Sequence, residues 1–173
     1  MSAQFRDGRD PARSAGAGAT VSAPSELAGA NSRFAVVAAR TNADVVLRLL
    51  EGCVETLKRH GATEDRIEVF QVPGAFELPF GARAAARTGR FQAVIALGAV
   101  IRGGTPHFEF ICAETARGIM NVGLETGVPT LFGVLTTNNR DDALERAGGT
   151  SGNKGAEAAL AAIEMANLSV GKG

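Results

Sequence analysis

The stretch Ala93-Val-Ile-Ala-Leu-Gly-Ala-Val-Ile-Arg-Gly-Gly-Thr-Pro-His107 decides how this chain folds. Ala93–Leu97 is a short apolar run of the kind that forms a buried strand. The segment Gly98–Pro106 then carries polar and glycine-rich sequence. Pro106 suits the first turn of a helix, and the spacing predicts a helix from about His107 to Thr126. A buried strand feeding a helix through a glycine-rich turn is the unit of a parallel α/β sheet.

Working outward, the same unit recurs. Phe34–Ala39 reads as a buried strand. Asn42 or Asp44 is placed to cap the helix that follows. In that helix Leu47, Leu50, Val54 and Leu57 recur at spacings of 3, 4 and 3, an amphipathic stripe. Lys58, Arg59 and His60 load its last turn and Gly61 stops it. Ile67–Val72 is the second strand, ended by Pro73-Gly74. Phe76–Arg87 is an Ala-rich helical segment whose Pro79 must lie near its start. Pro129–Leu135 is the fourth strand. Helices near Arg140–Ala147 and Gly155–Leu168 close the chain.

Apolar strands alternating with helices imply a parallel sheet covered on both faces, with right-handed crossovers. The expected fold is α/β: a three-layer α/β/α sandwich with a flavodoxin-like, parallel four-stranded sheet.

Composition excludes several functions. Lys plus Arg is 18 and Asp plus Glu is 18, so the chain is formally neutral and carries no charge footprint for nucleic acid or an anionic membrane. It has no apolar run of about 18 residues, so no membrane span is expected. Two cysteines cannot build a disulfide framework or a Cys-rich metal site, which points to a reducing, cytoplasmic home. Cys53 and Cys112 fall in helices and read as buried small hydrophobes. Most of the nine Phe read as core, with Phe76 and Phe132 set apart because they fall near strand ends. Residues 1–32 are rich in Ala, Gly and Ser and read as a disordered tail without a secretory signal. Residues 33–173 form the domain.

Ligands of open α/β sheets bind beyond the carboxyl ends of the strands. That rule selects Arg40–Asn42, Pro73–Glu77, Gly98–His107 and Thr136–Asn139. No GxGxxG follows the first strand and no GxxxxGK[ST] occurs, so dinucleotide and P-loop chemistry lack support. Gly103 and Gly104 permit close backbone approach to a ligand. With Thr105 and the helix start they suit an anion such as phosphate, although glycine-rich turns also serve as plain connectors. His107 follows this loop and suits a general acid/base. His60, in a basic helix end, reads as a solvated residue. Glu77 either accepts hydrogen bonds from a ligand or complements the helix dipole. Arg146 and Lys154 either hold a phosphate together or are surface cations.

Seven segments in order resemble the lumazine synthase family. They are Val72-Pro-Gly-Ala-Phe-Glu-Leu-Pro79, Ala96-Leu-Gly-Ala-Val-Ile-Arg-Gly-Gly-Thr-Pro-His-Phe108, Leu124-Glu-Thr-Gly-Val-Pro129, Phe132-Gly-Val-Leu-Thr-Thr137, Glu145-Arg-Ala-Gly148, Gly152-Asn-Lys-Gly155 and Ala162-Ile-Glu-Met-Ala-Asn-Leu168. The resemblance runs from about Phe34 to Leu168. It implies a transferase of riboflavin biosynthesis that needs neither metal nor organic cofactor. Such an enzyme condenses 5-amino-6-(D-ribitylamino)uracil with 3,4-dihydroxy-2-butanone 4-phosphate to 6,7-dimethyl-8-ribityllumazine, phosphate and water.

The resemblance also implies roles. His107 matches the proton-moving histidine. Gly104 and Thr105 match the phosphate loop, and Arg146 matches a phosphate-binding arginine supplied by the adjacent subunit, with Lys154 beside it. Ala75, Phe76 and Glu77 match the segment holding the pyrimidine and ribityl chain. Val100 and Ile101 match the lining of the pyrimidine pocket, Asn42 a ribityl contact, and Phe132 an aromatic from the neighbour. One position departs from the family: Thr41 stands where members carry Phe or Trp to stack on the pyrimidine.

The family forms homopentamers with sites between adjacent subunits, and many members build an icosahedral 60-mer. The compact Arg146–Lys154 stretch resembles cage formers. Pro24 counts against a tail strand adding to a neighbour's sheet. Thr41 keeps two alternatives open, a catalytically weakened cage protein and a binder of riboflavin-like ligands.

Overall fold

Four short segments pair side by side, the two central ones covered by helices on both faces. In the computed structural model, which describes residue 29 and residues 31–168, these are β1 (Phe34–Ala39), β2 (Ile67–Val72), β3 (Ala93–Ile101) and β4 (Thr130–Thr137). All pairings are parallel and the order is β2-β1-β3-β4. This is the flavodoxin-like sheet the alternation implies. The helices are α1 (Ala43–Arg59), α2 (Leu78–Ala86), α3 (His107–Thr126), α4 (Arg140–Glu145) and α5 (Lys154–Ala166).

Strand alternation builds two cores. Phe34, Val36 and Ala38 of β1, with Ile95, Leu97 and Ala99 of β3, face α1 and α5. Ala35, Val37 and Ala39, with Val94 and Ala96, face α2 and α3 through Leu78, Ala82, Ile119 and Val122. All six side chains of β1 are buried, which is why it reads as a continuous apolar run.

Several boundaries differ from expectation. β3 continues past Leu97 to Ile101, because Gly98–Ile101 pairs with Val134–Thr137 of a β4 that is itself longer than expected. The Phe76–Arg87 segment divides into a 3-10 turn, Ala75–Glu77, and α2, with Pro79 near the helix start. A two-stranded antiparallel hairpin, β5 (Ala147–Gly149) and β6 (Gly152–Asn153), lies where only a connector was expected.

The stripe of α1 is also corrected. Val45, Val46, Leu49, Cys53, Thr56 and Leu57 are buried, whereas Leu47 is half exposed. Most Phe are not core: among the described residues only Phe34 and Phe91 are buried, and Phe80 and Phe110 are largely exposed. Cys53 is buried as expected, but Cys112 is only partly so.

Helices α1 and α5 touch through glycine. A Cβ on Gly155 would lie 2.0 Å from the Leu49 carbonyl oxygen, and one on Gly52 would lie 2.4 Å from the Asn153 side chain. Asn153 caps α5 by accepting from the Gly155 and Ala156 N–H groups, and its Nδ2 donates to the Arg48 carbonyl. This seam fixes the helix that presents Lys154.

The tail expected over residues 1–32, and Pro24 with it, falls mostly outside the described residues. Within them, the buried Gly29 donates its N–H to the His60 carbonyl at 2.8 Å, and Ser32 is buried.

Candidate functional site

The carboxyl ends of β1, β2 and β3 open on one cleft of about 590 Å³. Thr41 and Asn42 enter it from the β1–α1 turn. Ala75, Phe76 and Glu77 come from the 3-10 turn after β2, Val100 and Ile101 from the end of β3, and His107 from the first residue of α3. Eight of the expected site residues are thus brought together.

Local geometry explains how each is aimed. Asn42 stands at the N-cap of α1 in the left-handed region, with φ 56° and ψ 46°. Its side chain does not cap the helix, and neither does that of Asp44. Instead Asn42 Nδ2 donates to the Ala99 carbonyl at 2.8 Å, tying the first loop to β3. Asp44 pairs with Arg140. The Thr41 hydroxyl donates to the Pro73 carbonyl at 3.0 Å. A Cβ on Gly74 would lie 3.2 Å from Glu77 Oε2 and 3.3 Å from Thr41 Oγ1, so the glycine leaves the space before both groups open. The buried Thr115 hydroxyl donates to the Ala75 carbonyl at 3.2 Å, holding the turn to α3.

Glu77 occupies the N-cap of α2 but its side chain does not cap that helix. Its carboxylate and the His107 imidazole have no hydrogen-bond partner among the described residues. Both groups are free to face a ligand.

A second cleft, of about 480 Å³, runs along the outer edge of β4. It gathers Phe132, Arg146 and Lys154, with Glu157 and Ala158 of α5. The Lys154 N–H donates to the Arg146 carbonyl at 2.9 Å, which fixes the two cations near each other. Arg146 Nη1 donates to the Asp142 carbonyl at 2.9 Å, and Lys154 pairs with Glu157. Phe132 is 45% exposed although it belongs to a strand, because β4 is a sheet edge. No residue lines both clefts.

Gly104 and Thr105 line neither cleft. They lie exposed on the loop between β3 and α3. A Cβ on Gly103 or Gly104 would meet nothing within 4 Å, and neither residue has positive φ. Packing within the chain therefore does not demand these glycines.

The model of the 6,7-dimethyl-8-ribityllumazine synthase family matches residues 31–170. The chain belongs to this family. A protein of Chlorobium luteolum named 6,7-dimethyl-8-ribityllumazine synthase is 53% identical over 142 residues, covering 82% of this chain and 92% of the relative. Relatives of the same name from Chlorobium phaeobacteroides and Prosthecochloris aestuarii are each 54% identical. As a member of the lumazine synthase family the chain is an enzyme, a transferase of riboflavin biosynthesis.

Some residues at these clefts had not been singled out from the sequence. Ile111 lines the first and Glu157 the second. Ile111 carried a usable signal, since it follows His107 by one helical turn and shares its face. Glu157 carried none beyond its spacing from Lys154.

Proposed function

We propose that this chain condenses 5-amino-6-(D-ribitylamino)uracil with 3,4-dihydroxy-2-butanone 4-phosphate, in a site completed by two adjacent subunits of a homopentamer. The carrying observation is that most of the matching residues fall in two separate clefts of one chain. Asn42, Phe76, Glu77, Val100, Ile101 and His107 lie in one and Phe132, Arg146 and Lys154 in the other, while Gly104 and Thr105 lie exposed on the loop between β3 and α3. Small-molecule sites bury about 70–90% of their ligand. A cleft open to solvent reaches that only if another surface closes it, and the β4 edge of a neighbour bears the cations a phosphate needs.

Exposed apolar groups support the association. Phe80, Phe110, Met120 and Leu124 on α2 and α3 are each more than half exposed. Four large apolar side chains left this exposed fit a surface that a neighbouring copy covers.

In this site Phe76, Val100 and Ile101 hold the uracil, Asn42 and Glu77 its polar groups, and the neighbour's Phe132 closes over it. His107 takes a proton from the attacking 5-amino group and returns one to the departing ketone oxygen, giving an imine and water. Removal of the C3 proton then expels phosphate from C4, its charge held by Arg146, Lys154, Thr105 and the N–H groups near Gly104. The enol left behind takes up a proton at C4 to become the second carbonyl. Attack of the ribitylamino nitrogen on the second carbonyl releases another water and closes the ring. Much of the acceleration comes from holding two substrates in register. The compact stretch from Arg146 to Lys154 favours assembly of the pentamers into a 60-mer. The home is the cytoplasm, where the two free cysteines stay reduced.

The test is formation of the lumazine chromophore from both substrates by the purified chain. Turnover that falls about 10²–10⁴-fold in His107→Ala is expected. A well-assembled oligomer without turnover would instead favour a scaffold, and riboflavin binding without turnover a ligand-binding module. Native mass spectrometry separates pentamer from cage.

A further inference from the structure

The loop that delivers His107 has little to hold it. Residues 103–107 are exposed, and the two glycines touch no neighbour where a Cβ would stand. What fixes the loop lies at its start. The Arg102 N–H donates to the Thr137 carbonyl of β4 at 2.9 Å. Arg102 Nε donates to Asn138 Oδ1 at 3.0 Å. The guanidinium also lies over the Phe108 ring, 4.2 Å from its centroid, and pairs through Nη1 with Glu109. Phe108 and Glu109 belong to the first turn of α3, directly after His107.

One side chain therefore joins the end of β4 to the start of α3, on either side of the Gly103–Pro106 loop. The Arg102 guanidinium holds the Glu109 carboxyl below the usual carboxylate range, so the pair stays charged at neutral pH. Both side chains are about half exposed, and an exposed ion pair adds little to global stability. Its effect is on geometry: a planar guanidinium lies flat on a ring while its rigid fork of donors fixes the directions of two partners, an arrangement a lysine ammonium does not reproduce.

We propose that Arg102 is a positioning residue that sets the spacing between the Gly103–Thr105 loop and His107, and so aligns phosphate departure with proton transfer. This rests on the function proposed above. Arg102 touches no substrate in this role. It acts through Asn138, Phe108 and Glu109.

The test compares Arg102→Met, Arg102→Lys and Glu109→Gln in the full-length, assembled protein, with both substrates varied. For Arg102→Met a kcat about tenfold lower is expected, with a several-fold higher KM for the butanone phosphate and an unchanged KM for the uracil. Arg102→Lys should recover only part of kcat, because it keeps the charge but loses the stack and the fork. Amide hydrogen exchange in the first turns of α3 should speed up in Arg102→Met while β1 and β3 stay protected. If Arg102→Met assembles and keeps all three kinetic constants within twofold, the proposal is overturned. Should that variant fail to assemble, Glu109→Gln, which removes only the ion pair, decides by the same split. If the unsubstituted protein shows no turnover, the proposed function falls. The exchange data then judge the clamp by itself, and unchanged exchange would overturn it.

Discussion

The side-chain amide of Asn42 is bonded to the main-chain carbonyl of Ala99, 57 residues further along the chain, at 2.8 Å. That bond joins the turn after β1 to the end of β3 across the floor of the first cleft. It also holds Asn42 in a left-handed conformation that asparagine tolerates better than most residues. Asn42→Ala loses both features and should destabilise the chain by about 2 kcal/mol, one part for the hydrogen bond and one for the backbone. Asn42→Gly relieves the backbone part and should cost roughly half as much. Denaturant midpoints at fixed protein concentration measure the difference.

Position 41 has a direct test. The Thr41 side chain lies exposed at the cleft and spends its hydroxyl on the Pro73 carbonyl. An aromatic ring there would add a stacking face worth about 0.5–1.5 kcal/mol. Thr41→Phe should therefore lower KM for the uracil substrate by about two- to tenfold, with KM for the phosphate substrate unchanged. Steady-state kinetics check this. An unchanged or higher uracil KM would remove any role for a ring at this position.

The contact between α1 and α5 admits no side chain at Gly155. In Gly155→Ala the new methyl would meet the Leu49 main chain at 2.0 Å, and main chain cannot move aside as a flexible side chain can. The expected loss is about 3 kcal/mol or more, with weakened hold on Lys154 as a consequence. Thermal unfolding of the variant measures it. A melting temperature equal to that of the parent would mean that the helices slide apart freely.

Cys53 gives a pH signature. Burial pushes its thiol up to about 12 from an ordinary 9.0. The neutral thiol is thus favoured in the folded state. The associated stability is fully present below pH 9 and is lost as the pH rises from about 9 toward 12, since the unfolded chain ionises first. Cys53→Ala should show a flatter fall of stability across that window than the parent. Native alkylation should label Cys112, which is partly exposed, well before Cys53.

The layered sheet was legible because β1 and the first half of β3 are buried on both faces, and so appear as unbroken apolar runs. Gly98 to Ile101 were missed because Gly98 reads as the start of a turn, although Ala99-Val100-Ile101 are as apolar as the strand before them. The stripe of α1 was misread at Leu47: the face that matters also buries Val45, Cys53 and Thr56, which are small or polar. The hairpin Ala147–Asn153 is mostly glycine and hydroxyl residues, so nothing in its pattern distinguishes a strand from a turn. At the site, His107 and Glu77 could be found from their places after strands. The partition into two clefts was implied only by the family resemblance, because it depends on β4 being an edge, and edge position is a property of sheet order.

That partition gives defects an unusual inheritance. In the proposed head-to-tail pentamer each boundary would join the His107 face of one copy to the Arg146 edge of the next. A copy spoiled at His107 still lends a sound Arg146 to its neighbour, and the reverse holds for a copy spoiled at Arg146. Two inactive versions, refolded together, should rescue one another: roughly a quarter of the boundaries in a random mixture pair two undamaged faces. Another quarter concentrate both injuries. On the proposed shared site, the unit on which a mutation is felt is the boundary, and no single chain would own its own activity.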